Sequence, residues 1–177
     1  MYNNPFASGT SAKMGSSAEY RFDKMAKKAR IYLRKATQAE DKSHIDRVIN
    51  YNGKQIPVEI KAMKKISRSD AAPQDKYTWI ELHGVHEFDR GWLFGGKADL
   101  IAFETRHGFL FVERKNLISL VNKIVDFKAS VSSPQDAVNK IYARRKETSG
   151  IFGGGFDKVT LIETNKIASI KFMMWQE

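Results

Sequence analysis

The stretch HIDRVINYNGKQIPVEIKAM, residues 44–63, decides how the chain folds. Two runs rich in β-formers flank Asn52-Gly53, a pair whose ease at positive φ suits a two-residue hairpin turn. In the second run Glu59 and Lys61 are two residues apart, so both side chains leave one face of the strand while Val58 and Ile60 point to the other. Asp46 lies in the first run, 13 residues before Glu59, and the hairpin can bring the two carboxylates side by side. Pro57, two residues ahead of Glu59, has no N–H to give a ladder, so an irregular or unpaired start to this strand is expected.

On the N-terminal side, SSAEYRFDKMAKKARIYLRKA sets Phe22, Met25, Ala26, Ala29, Tyr32 and Leu33 at helical spacing against a face of Lys and Arg. The pattern predicts a basic amphipathic helix. Ser16 and Glu19 fit a capping box that would start it at about Ala18. Residues 1–16, rich in Ser, Gly, Ala and Asn, then read as a flexible arm ahead of a single domain over 17–177. KATQAEDKS ends the helical pattern.

On the C-terminal side, residues 64–76 read as a mobile basic loop and YTWIELHGV as a strand. A Gly-rich connection through Gly91, Gly95 and Gly96 leads to ADLIAFE and GFLFVER, a second hairpin turning at Arg106-His107-Gly108. NLISLVNKIV and SPQDAVNKIYARRKE read as helices, the second capped by Ser133 with Pro134 in its first position. DKVTLIE and IASIKFMMW add two strands. The predicted fold is α/β, a central mixed sheet of five or more strands flanked by helices. TSGIFGGGF, residues 148–156, lacks the Lys-Ser or Lys-Thr of a phosphate-binding loop, which argues against nucleotide hydrolysis.

At 177 residues the chain suits one compact core, and no run approaches the roughly 20 apolar residues that cross a bilayer. The N-terminal MYNNPFASGTSAKMGSS has no charged leader followed by an apolar stretch, so a cytoplasmic location is expected. The absence of cysteine removes disulfides, thiolate nucleophiles and Cys-based zinc sites, and leaves any metal to oxygen or histidine. Thirty Lys and Arg against 20 Asp and Glu give a net charge of +10, which favours a polyanionic partner, DNA before others, through steering and counterion release.

Paired carboxylates at Asp46 and Glu59 suit a hard, oxygen-seeking ion such as Mg²⁺, which also accepts phosphate oxygens as ligands. Lys61 can orient a water or stabilise charge developing on a phosphate. The plainer reading of the three residues is a cross-strand ion pair on a solvated face, worth under about 1 kcal/mol. A second pattern of the same form, Asp99 with Glu113 and Lys115, competes, although Glu113 and Lys115 fall where a strand runs into a helix.

A helix, then a strand bearing Asp46, then Glu59-Ile60-Lys61, resembles the signature of the PD-(D/E)xK nuclease superfamily, which includes archaeal Holliday-junction resolvases, phage endonuclease I and many restriction enzymes. The resemblance covers about residues 16–63, and Ile45 stands where the motif has its proline. WIELHGV, GWLFGGKADLIAFE and the YARR and DKVTLIE stretches also resemble phage-encoded members of the superfamily. The resemblance implies a restriction-endonuclease-like core and a Mg²⁺-dependent endonuclease, with Mn²⁺ able to substitute. It further implies branched or phage DNA as substrate, a homodimer and the host cytoplasm. In resolvase-like members an acid on the first helix completes the metal site. Glu19 is the nearest equivalent here, with Asp23 one turn on and Glu40 as further candidates.

Lys27, Lys28, Arg30, Lys64, Lys65, Arg68, Arg144 and Arg145 are candidate phosphate contacts, though each charge run could equally be a solvated face. His44, two residues before Asp46, could reach a phosphate; His83, His86 and His107 read as surface residues. Trp79 and Trp92 read as core. The alternative to an enzyme is a nucleic-acid-binding or protein-interaction module that keeps the fold without the chemistry.

Overall fold

The structure, a computed structural model, describes residues 9–84, 90–145 and 156–177. Along the chain run α1 (Gly9–Lys28), β1 (Leu33–Lys35), α2 (Gln38–Asp41), β2 (Arg47–Tyr51), β3 (Lys54–Lys61), β4 (Tyr77–His83), α3 (Gly91–Gly95), β5 (Leu100–Thr105) and β6 (Gly108–Glu113). Then come α4 (Arg114–Ile124), β7 (Asp126–Val131), a 3-10 turn at Pro134–Asp136, β8 (Lys140–Arg145), β9 (Phe156–Glu163), α5 (Thr164–Ala168) and β10 (Lys171–Gln176). The fold is α/β. A mixed six-stranded sheet has the order β1-β2-β3-β5-β6-β10, and a four-stranded sheet has the order β4-β9-β8-β7.

The hairpin forms as its sequence predicts. β2 and β3 pair antiparallel from Arg47 opposite Val58 to Tyr51 opposite Lys54, with Asn52 at φ 51° and Gly53 at φ 77° in the turn. β5 joins β3 in parallel on its other side, Glu59 beside Ile101 and Lys61 beside Phe103. The irregular start expected of β3 does not occur. Pro57 stays in register opposite Val48, and its carbonyl accepts the Asp99 amide at 3.0 Å. Its missing N–H faces that same side, ahead of the point where β5 pairing begins at Leu100, so no ladder bond is lost.

Tyr51 on β2 and Phe172 on β10 are four strands apart in order, about 19 Å in a flat sheet, yet their ring centroids lie 5.8 Å apart. The sheet therefore curls, and its concave face holds α1. Fully buried Phe22 meets Phe109, Phe111 and Trp175 at centroid distances of 5.3, 5.8 and 4.8 Å. Val58 and Ile60 belong to this inner core. Val48, Ile101, Phe103 and Leu110 belong to a separate core, where they meet Trp92 and Leu93 of α3, Leu117 of α4, and Ile80 and Ile162 of the second sheet. Strand alternation thus sends Val58 and Ile60 to α1, and Glu59 and Lys61 to the side of α3.

Several expectations need correction. α1 begins at Gly9, so residues 9–16 are helical and not a flexible arm; residues 1–8 lie outside the described residues. Ala18, Phe22 and Ala26 form a buried stripe at four-residue spacing in the later part of the helix. α1 ends at Lys28, before Tyr32 and Leu33. Arg30 takes φ 56°, the Ile31 amide returns to the Ala26 carbonyl at 2.9 Å, and Leu33 enters β1 opposite Ile49.

KATQAEDKS contains a short helix, α2, with a reciprocal capping box between Thr37 and Glu40. The connection through Gly91, Gly95 and Gly96 holds α3. SPQDAVNKIYARRKE forms the 3-10 turn and strand β8, because Asn139 at φ 56° interrupts any helix before Ile141 and Tyr142 pair with neighbouring strands. The exposed edge strand β7 has no apolar alternation to announce it. IASIKFMMW divides between α5 and β10. The 64–76 loop is tied down rather than loose. Asp70 accepts the Ile66 and Ser67 amides, and Trp79 Nε1 donates to the Lys65 carbonyl at 3.0 Å.

Candidate active site

Asp46 immediately precedes β2. Its amide donates to the Val58 carbonyl at 2.9 Å although Val58 is already the register partner of Arg47, so the two residues share one partner in a bulge-like step. That step leaves the Ile60 amide without a strand partner on the β2 side, and Asp46 Oδ2 accepts it at 2.6 Å. Two further bonds fix the Asp46 backbone: its carbonyl accepts from the Ala36 amide at 3.1 Å and from Arg47 Nη1 at 2.9 Å.

The structure brings Asp46, Glu59 and Lys61 together. Asp46 and Glu59 lie close enough for their charges to oppose each other, and the Lys61 ammonium is bonded to Glu59 Oε1. Glu59 is 5% exposed. Burial, and then the charge of Glu59, push the Asp46 carboxyl up to about 7, against the pull of the Ile60 amide and Lys61. Lys61 is also seated by a residue read only as core: its Nζ lies 4.8 Å from the centroid of buried Trp92, which meets Phe103 edge-on. His44, at φ 58°, holds Nδ1 4.0 Å from Glu59 Oε1, and the Lys97 amide donates to the Ser43 carbonyl, tying the end of α3 to this corner.

Glu19 does not cap α1; it pairs with Arg47 at 3.0 Å, near enough to Asp46 for that charge to matter. Burial first, and Asp46 second, raise the Glu19 carboxyl above its usual range. Asp23 takes the other side of the same guanidinium at 2.8 and 3.0 Å. Glu40 is engaged elsewhere, bound by Arg34 through both oxygens and by the Thr37 amide. Arg47 carried no weight in the sequence reading. A cation one residue from Asp46 on the opposite face, with acids four apart on a preceding helix, was the available signal.

The competing Asp99, Glu113 and Lys115 are not assembled in this way. Lys115 stands in α4 with its side chain 77% exposed, Glu113 accepts from Asn116 Nδ2 at 2.7 Å, and Asp99 is exposed. Among the candidate phosphate contacts, Lys64, Lys65 and Arg68 follow Lys61 by three to seven residues, in the loop that leaves the site end of β3. Lys27 and Lys28 are exposed at the last turn of α1, about 12–14 Å along the axis from Glu19, and exposed Arg30 follows them. The side chains of Arg144 and Arg145, and His86, lie outside the described residues, as does most of TSGIFGGGF.

Carboxylate oxygens form the donor set, which suits a hard divalent cation better than a soft one. Burial and then the opposing charge of Glu59 raise the Asp46 carboxyl, and such an ion would relieve the second of these. Among the described residues no three His, Asp or Glu side chains are gathered as a ready cage; Asp46 and Glu59 are together, and Glu19 is turned to Arg47. Also among the described residues, no helix is long and apolar enough to cross a membrane. No family model, curated protein or solved structure matches the chain.

Proposed function

We propose that this chain is a metal-dependent endodeoxyribonuclease of the PD-(D/E)xK kind, with Asp46, Glu59 and Lys61 as its working residues. The observation that carries this reading is one cluster at the end of a single strand pair: buried Glu59 bonded to the Lys61 ammonium, and Asp46, held on the Ile60 amide, near enough to oppose its charge. A decorative surface ion pair does not bury an acid to 5% exposure beside a second acid. Asp46 and Glu59 would hold Mg²⁺, or Mn²⁺ in its place. When bound, that ion supplies Lewis acidity toward a phosphodiester and makes a water more acidic. Lys61 offers a cation to charge developing on the phosphate, and the Trp92 ring keeps its ammonium at the site end of β3. The net charge of +10 supports DNA as the polyanion.

The test is cleavage of duplex, single-stranded and four-way DNA with and without Mg²⁺ or Mn²⁺. Wild type cuts only with metal, and Glu59→Ala and Lys61→Ala lose cutting while binding survives. Equal cutting by those variants refutes the assignment. A second reading, a binding module without chemistry, draws on the cations already seated on Glu59 and Glu19. It predicts salt-sensitive DNA binding, no cutting, and indifference to Asp46→Asn.

A further inference from the structure

Arg47 is a buried cation, its side chain 5% exposed, on the face of β2 turned to α1. Its bonds are divided in an informative way. Nε and Nη2 clamp Asp23 at 2.8 and 3.0 Å, which anchors the guanidinium to the helix. Nη1 alone reaches both the Glu19 carboxylate, at 3.0 Å, and the carbonyl of Asp46, at 2.9 Å. One nitrogen thus joins the acid on α1 to the backbone of the acid at the head of β2. Glu19 and Asp23 are four residues apart on α1, so both meet one planar fork, and lysine has no second nitrogen with which to reproduce that division.

We infer that Arg47 is a positioning residue that sets the spacing between Glu19 and Asp46 and thereby the affinity of the site for a divalent cation. The inference rests on the reading of Asp46 and Glu59 as ligands of such an ion, and adds Glu19 to them as the acid that Arg47 holds in reach. Without the clamp, Glu19 loses its only cationic tether among the contacts described above and retreats from Asp46, whose charge it already feels. Groups that orient first-sphere ligands in this manner change metal affinity by roughly 10–100-fold when removed.

The experiment measures Mn²⁺ affinity of the full chain by electron paramagnetic resonance of the free ion. Arg47→Lys weakens binding by about 10-fold or more, as does Glu19→Gln. On the Glu19→Gln background, Arg47→Lys adds less than about 2-fold, because its effect passes through Glu19. Asp23→Asn leaves Glu19 and Asp46 untouched but loosens the clamp, and it weakens binding in the same direction. It carries the test if circular dichroism shows Arg47→Lys to be unfolded. Wild type that binds Mn²⁺, with Arg47→Lys and Asp23→Asn binding equally well, overturns the inference and leaves the nuclease reading standing. Equal losses from Arg47→Lys on both backgrounds overturn it too, since a merely structural role would act independently of Glu19. Wild type that binds no Mn²⁺ overturns the reading and the inference together.

Discussion

Asp46 stands buried under the charge of Glu59, and burial first and that neighbour's charge second hold the Asp46 proton up to about 7. An unfolded aspartate titrates near 3.9. Ionising Asp46 in the folded chain therefore costs stability: the cost is present in full above about pH 7, shrinks as pH falls, and is gone below about pH 4. Asp46→Asn keeps an acceptor for the Ile60 amide and removes the charge. The metal-free variant should be more stable than wild type by roughly 1–3 kcal/mol at pH 8, with the gain vanishing near pH 4. Urea unfolding at the two pH values measures it, and a variant less stable at pH 8 contradicts the account from burial and like charge.

On the proposed nuclease reading, Glu59 and Lys61 serve the chemistry and not the binding of DNA. That reading leaves the attraction of DNA to the field of 30 Lys and Arg against 20 Asp and Glu. Glu59→Gln and Lys61→Met should lower the cutting rate by about 100-fold or more. The DNA Kd, measured without metal at fixed salt, should move by less than about 3-fold, within what loss of one phosphate contact allows. A drop in affinity that accounts for the whole drop in cutting would make both residues part of the binding surface instead.

The hairpin was legible because three independent signals agree over residues 44–63: alternation, Asn52-Gly53, and β-branched content. The meeting of Asp46, Glu59 and Lys61 followed from it, since spacing on one strand pair is local geometry. What was not legible is tertiary. The buried stripe of α1 from Ala18 to Ala26 packs on a sheet that curls around it, and β8 depends on β9 and β7 for partners, so local propensity alone read it as helix. Trp92 reached the site only because α3 packs against β4, a contact with no trace in the spacing of GWLFG. The capping-box signal at Ser16 and Glu19 was a false one, and the true box, Thr37 with Glu40, lay in a segment read as a break.

That box gives a pH dependence of opposite sign to that of Asp46. Two bonds from Arg34 and one from the Thr37 amide hold the Glu40 carboxyl down to about 2. Its stabilisation is therefore complete above the ordinary glutamate range and is lost as pH falls toward 2. Glu40→Gln should lower Tm at pH 7, and the gap to wild type should narrow steadily from pH 4.5 to pH 3. A gap of constant size across that range would mean that packing, not charge, accounts for the loss.

Two glycines at positive φ distinguish backbone preference from close approach. At Gly53, φ 77°, an added Cβ meets nothing within 4 Å, so Gly53→Ala costs only the left-handed penalty, about 1 kcal/mol. At Gly108, φ 143°, the same carbon would sit 1.9 Å from the Trp175 carbonyl oxygen, an atom of the β10 backbone that pairs with β6. No side-chain rotation relieves that overlap, so β10 must part from β6 and carry Trp175 away from Phe22. Gly108→Ala should cost more than about 3 kcal/mol, as changes that break core packing do. Chemical denaturation of the two variants side by side checks the difference. Equal costs would show that β10 can slide without loss, and that the curl around α1 does not depend on that edge.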